Sequence, residues 1–193
     1  MGFFSKLSGG GKMKPQPTTS SKPLCIQDPT IGFLNLLGET GDELLAADRD
    51  KLAPLFARSE ASTQPIPKCQ VLFLYGTLQV SGEVVGSISL RDLIQEAGAY
   101  VAVVASENPA DSYIKGAGRR DSTWNANIVM CIDRRGDKFA QFFHDLFTAM
   151  FDGTSMPVAW VKIAPQIPGA THTNTPESIM SAEVGQIVFS RSH

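Results

Sequence analysis

Polar side chains suited to acid–base or anion chemistry gather directly after apolar, valine-rich runs. Ser106, Glu107 and Asn108 follow YVAVVA, and Asp133, Arg134 and Arg135 follow NIVMCI. Tyr75 ends a third run, VLFLY, with Thr77 just beyond it. If the three runs are parallel strands, these positions are their carboxyl ends, where open α/β sheets bind ligands. Glu107 and Asp133 become a carboxylate pair for acid–base work only if their strands are neighbours. Asp133 beside Arg134 or Arg135 equally fits a loop-fixing ion pair or a helix cap, and the two arginines at a helix start fit an anion site. The candidate ligand-binding residues are therefore Tyr75, Ser106, Glu107, Asn108, Asp133, Arg134 and Arg135, none of them assigned a catalytic role.

The nucleophiles are poorly served by their neighbours. Cys25, Cys69 and Cys131 make an odd count without a CxxC pair, which argues against a disulfide framework and against a cysteine-rich zinc site. A reactive cysteine needs a base or cation to hold its thiolate. Cys25 reads as part of a proline-flanked loop, Cys69 sits at the start of its strand, and Cys131 lies inside one. His144 belongs to the polar side of the helix that follows Cys131, so the two make a poor dyad. His172 and His193 are the remaining histidines, too few for a histidine metal site. GxxxxGK[ST], HExxH, GxSxG and EF-hand patterns are all missing, and the Gly116–Arg120 stretch GAGRR lies in a polar segment rather than directly after a strand. No metal or cofactor is expected.

The surrounding chain has 193 residues, 42% of them apolar and 19% charged, which suits one globular domain with a tail. A net charge of −2 offers no overall attraction to a phosphate backbone, so nucleic acid is not an expected partner. Lys6, Lys12, Lys14 and Lys22 lie among glycine, proline, serine and threonine with no acid before Asp28. Residues 1–24 are expected to be a disordered basic tail, because such a composition cannot bury enough surface to offset its ordering entropy. The start lacks a sustained apolar region, and no run reaches the length of a spanning helix, so neither secretion nor stable membrane insertion is expected. A cytoplasmic location follows as an expectation. Residues 25–193 are expected to form a single α/β domain.

Periodicity supplies the elements. The Thr30–Leu37 stretch reads as a short helix or turn, and Asp42 is placed to cap a helix carrying Leu44, Leu45, Leu52, Leu55 and Phe56, with Pro54 interrupting it. Ser59–Pro67 reads as a loop. Val71–Tyr75 runs without alternation, the mark of a strand covered on both faces. Ser89 caps a helix that Gly98 ends. Strands are expected over Tyr100–Ala105 and Asn127–Ile132. The long helix after Gly136 buries Phe139, Phe142, Phe143, Leu146, Phe147 and Met150 at three-and-four spacing, with Gln141, His144, Asp145 and Thr148 opposite. A last helix over SMPVAWVKIA, a loop over Ile167–Pro176 and a strand over Val184–Phe189 at a sheet edge complete the expectation. The fold class is α/β: three layers, a mostly parallel sheet flanked by helices, caspase-like or flavodoxin-like.

From Val71 to Ala164 the pattern resembles the C-terminal part of caspase-like CHAT domains. Phe139, Phe143, Leu146, Gly153, Ser155, Ala159 and Ala164 match that family's aromatic helix, glycine and following alanines, and VLFLYGTL resembles the strand that delivers its nucleophilic cysteine. The resemblance places that cysteine near Tyr75 or Gly76, neither of which is a thiol, and the family's upstream histidine has no counterpart before His144. It therefore implies a shortened, catalytically empty relative. The functional expectation is a non-enzymatic protein-interaction module with a protein partner or a second copy of itself. The alternative is a small-ligand or nucleotide-binding enzyme using the polar strand ends. Tyr113, Trp124 and Trp160 are the large side chains expected to be available for contact.

Overall fold

A computed structural model describes residues 22–77, 89–105, 128–132, 138–163, 177–180 and 186–192. The 1–24 tail therefore falls outside the described residues up to position 21, as do Tyr113, Trp124 and the Ile167–Pro176 stretch. The elements are β1 (Leu24–Gln27), β2 (Thr30–Asn35), α1 (Glu39–Leu52), a 3-10 turn (Ala53–Leu55), β3 (Arg58–Ser62), β4 (Val71–Tyr75), α2 (Leu90–Ala97), β5 (Val101–Ala105), β6 (Ile128–Ile132), α3 (Lys138–Phe151), α4 (Met156–Ile163), β7 (Glu177–Met180) and β8 (Ile187–Ser190).

Six strands form one sheet in the order β3-β2-β4-β5-β6-β7. All neighbours are parallel except β7, which runs antiparallel to β6. The unbroken apolar strands explain themselves by alternation: successive side chains leave opposite faces, and both faces are covered. Ile31, Phe33, Val71, Phe73, Tyr75, Val101, Val103 and Ala105 pack on one side with Phe139, Phe143, Leu146 and Phe147 of α3 and with Leu52 of α1. Leu34, Leu72, Leu74, Ala102 and Val104 pack on the other with Leu90, Leu93, Ile94 and Ala97 of α2. The architecture is three-layered α/β with a mostly parallel sheet.

The helix ends follow their local chemistry. Ser89 Oγ accepts the Asp92 N–H at 3.2 Å, capping α2. Gly98 then takes a left-handed conformation, φ 73°, that a side chain would oppose. Gly153 does the same after α3, with φ 85°, and Thr154 N–H returns to the Ala149 carbonyl at 2.9 Å.

Three expectations are corrected. Thr30–Asn35 is a strand, not a helix or turn: it is flanked by β3 and β4, and its backbone is satisfied by both. Gly32 permits the close approach, since a Cβ there would lie 2.6 Å from Cys69 Sγ and 2.9 Å from Pro67 Cγ. Arg58–Ser62, expected as loop from Ser59, is the edge strand β3, whose polar residues suit an edge that water reaches. The final strand is not an edge of the main sheet. Ile187–Ser190 pairs in parallel with Leu24–Gln27 as a separate two-stranded ribbon, so Cys25 lies in a strand rather than a loop. Ile26, Ile187 and Phe189 turn inward from that ribbon onto the aromatic face.

Smaller departures have local causes. α1 begins at Glu39, three residues before the expected cap Asp42, and Pro54 ends it in the 3-10 turn. Trp160 stands on α4, half-buried, with its ring edge-on to Phe142 at 4.9 Å. Among the described residues, no helix is long and apolar enough to cross a membrane.

Candidate functional site

Read from β2 onward, the five parallel strands have the order 2-1-3-4-5, so the topological switch falls between β2 and β4. In open α/β sheets the carboxyl ends of the strands at such a point are the default place for a ligand. Asn35 ends β2, and Tyr75 stands opposite it at the end of β4, in register.

Asn35 is 2% exposed and its amide is committed to the turn that starts α1. Its Nδ2 donates to the Gly38 carbonyl at 2.8 Å and to Asp42 Oδ1 at 2.7 Å, while its Oδ1 accepts the Leu37 N–H at 2.9 Å. Gly41 makes room for this amide: a Cβ on it would stand 2.1 Å from Asn35 Oδ1. Thr40 Oγ1 donates to the Leu37 carbonyl at 2.9 Å, and Leu36 N–H reaches across to the Tyr75 carbonyl at 2.7 Å. Asp42 thus helps anchor the turn from inside the first helical turn instead of capping from outside it.

Tyr75 is fully buried, and its hydroxyl donates to Asp48 Oδ2 at 2.8 Å. Asp48 is itself fully buried on the inner side of α1. A buried carboxylate is tolerable only when hydrogen bonds replace its lost water, and the phenol supplies one of them. The pair fastens α1 to β4 beneath the switch point. Tyr75 therefore turns its polar tip into the protein rather than out of the strand end.

Ser106, Glu107, Asn108, Asp133, Arg134 and Arg135 lie outside the described residues. The strands that lead to them are placed, however. β5 and β6 are direct neighbours, with Ala105 opposite Ile132, and β4 lies on the far side of β5. The adjacency needed for a Glu107–Asp133 pairing is met at the level of the sheet.

Cys69 is buried, and its thiol donates to the Pro67 carbonyl at 3.7 Å. Burial, reinforced by the charge of Glu60 and only partly opposed by a backbone hydrogen bond from Gly32, pushes its pKa up to about 12. It is a structural thiol, the opposite of an activated nucleophile. Cys25 is exposed and donates to Ser190 Oγ at 3.3 Å across the outer ribbon. His144 is half-buried on the polar side of α3, 3.2 Å from Asp145 Oδ1.

A second polar cluster closes the outer ribbon. Asp28, in a left-handed conformation with φ 45°, accepts Ser192 N–H at 2.8 Å and the Ser192 hydroxyl. These bonds hold the Asp28 carboxyl below the usual aspartate value. Arg191 lies over the Phe151 ring, 4.6 Å from its centre. Both arrangements tie down the chain after β8. Among the described residues, no group of three or more His, Cys, Asp or Glu side chains is arranged to hold a metal ion.

Asn35 and Asp48 are the site residues that sequence reasoning passed over. The signal for Asp48 is present: Gly41, Leu44, Leu45, Asp48 and Leu52 share one helical stripe, so the period itself turns an aspartate inward. For Asn35 the only hint is an asparagine followed by a glycine-bearing turn.

No protein-family model matches the chain, and no curated protein matches it in sequence.

Proposed function

We propose that this protein is a non-enzymatic protein-interaction module of caspase-like α/β type. The observation that carries the reading is α4. Its inner side buries Met156 and Ala159 and sets Trp160 against Phe142, yet its outer side is also apolar, with Val158 47% and Val161 72% exposed. A helix apolar on both sides ordinarily has a covering layer on each. The contact surface is the outward Val158–Val161 side, bordered by Lys162.

The caspase-like element of the proposal rests on the resemblance across Val71–Ala164, which corresponds to the stretch from β4 through α4. The 2-1-3-4-5 order with an added antiparallel strand is compatible with it. At the position where the resemblance locates a nucleophile, Tyr75 is buried against Asp48, which supports a catalytically empty relative.

Val161→Glu tests the reading, because an exposed substitution leaves the core intact. Sedimentation velocity over a concentration series should show self-association that Val161→Glu abolishes. A photo-crosslinking residue at position 161 should otherwise trap one defined partner in cells, and Val158→Glu should remove that adduct. A protein that stays monomeric at every concentration and gives no specific adduct overturns the proposal.

The alternative, a small-ligand or nucleotide-binding enzyme, draws on one observation: β5 and β6 are neighbouring parallel strands, so their carboxyl ends, Ala105 and Ile132, lie side by side. It requires nucleotide or phosphate binding by equilibrium dialysis that Arg134→Ala together with Arg135→Ala eliminates.

A further inference from the structure

We draw no further inference here: the strongest candidate, the outward apolar face of α4 at Val158 and Val161, carries nothing beyond the reading already proposed, because nothing in the structure shows which molecule or segment covers it.

Discussion

The two faces of the central sheet are built on different principles. On the α3 face, rings meet rings: Phe73 lies edge-on to Phe143 at 5.0 Å and to Phe147 at 6.1 Å, and Phe33 leans on Phe73 at 5.6 Å. Phe56, Phe151 and Phe189 extend the same lattice outward to the β1–β8 ribbon. On the α2 face, leucine, valine and alanine meet one eight-residue helix. Aromatic pairs add roughly 0.5–1.5 kcal/mol beyond their buried area and fix orientation. Aliphatic packing fills volume with less directional demand. The aromatic face also joins more of the chain, gathering α1, α3, α4 and the terminal ribbon around one cluster.

The largest contrast is expected between two thiols. Cys69 lies under the α2 face and Cys25 on the outer ribbon. If the α2 face opens only with the whole domain, Cys69 should label more than about 10³-fold more slowly than Cys25, given ordinary domain stabilities. Because its pKa is raised from 9.0 to about 12, folding favours the neutral thiol. That contribution is complete below pH 9 and is lost as pH rises through about 12. Mass-resolved labelling from neutral to alkaline pH measures both effects. Similar rates at the two cysteines would mean that the α2 face opens locally.

Next in size are the core truncations. Phe143→Ala and Phe147→Ala should each cost about 3–5 kcal/mol, while Leu93→Ala on the other face should fall near the lower end of about 2–5 kcal/mol. In a Phe73→Ala/Phe143→Ala cycle the two losses should be non-additive, since the rings touch. Denaturant melts with equal or reversed costs would remove the distinction between the faces.

Tyr75→Phe removes only a hydroxyl but leaves Asp48 without that donor. A loss of about 1–3 kcal/mol is expected, the penalty of an under-satisfied buried acceptor. A change near zero in urea unfolding would show that other partners suffice for Asp48, making the α1–β4 fastening dispensable.

The smallest effect belongs to the solvent side of α3. His144→Ala should change stability by less than about 0.5 kcal/mol, because its side chain is only half-buried and meets Asp145 at the surface. A loss comparable to that of Phe143→Ala would mean that the two sides of α3 have been assigned in reverse.

Much of this arrangement is written locally. Val71–Tyr75, the valine strand ending at Ala105 and the strand ending at Ile132 declare themselves because a short apolar run has nowhere to go but a sheet covered twice. The phenylalanine stripe of α3, the Ser89 cap and the glycines after α2 and α3 are equally self-sufficient, each depending on neighbours within one or two helical turns. Tyr75 shows where that information stops. Its type and position at a strand end suggest a ligand contact, but the direction of its hydroxyl depends on Asp48, 27 residues away.

The sequence alone determined the strands β4, β5 and β6, the helices and the amphipathic side of α3, because propensity, period and capping act over short distances. Tertiary structure decided the rest. Thr30–Asn35 became a strand because two neighbours satisfied its backbone, and Arg58–Ser62 became one through pairing to β2 despite its polar side chains. Ile187–Ser190 left the main sheet to pair with Leu24–Gln27 from the other end of the described chain. β7 turned antiparallel against β6. Backbone hydrogen bonds between distant segments carry no signature in residue type, since every non-proline residue offers the same donor and acceptor. Partner choice is therefore made by the assembled core.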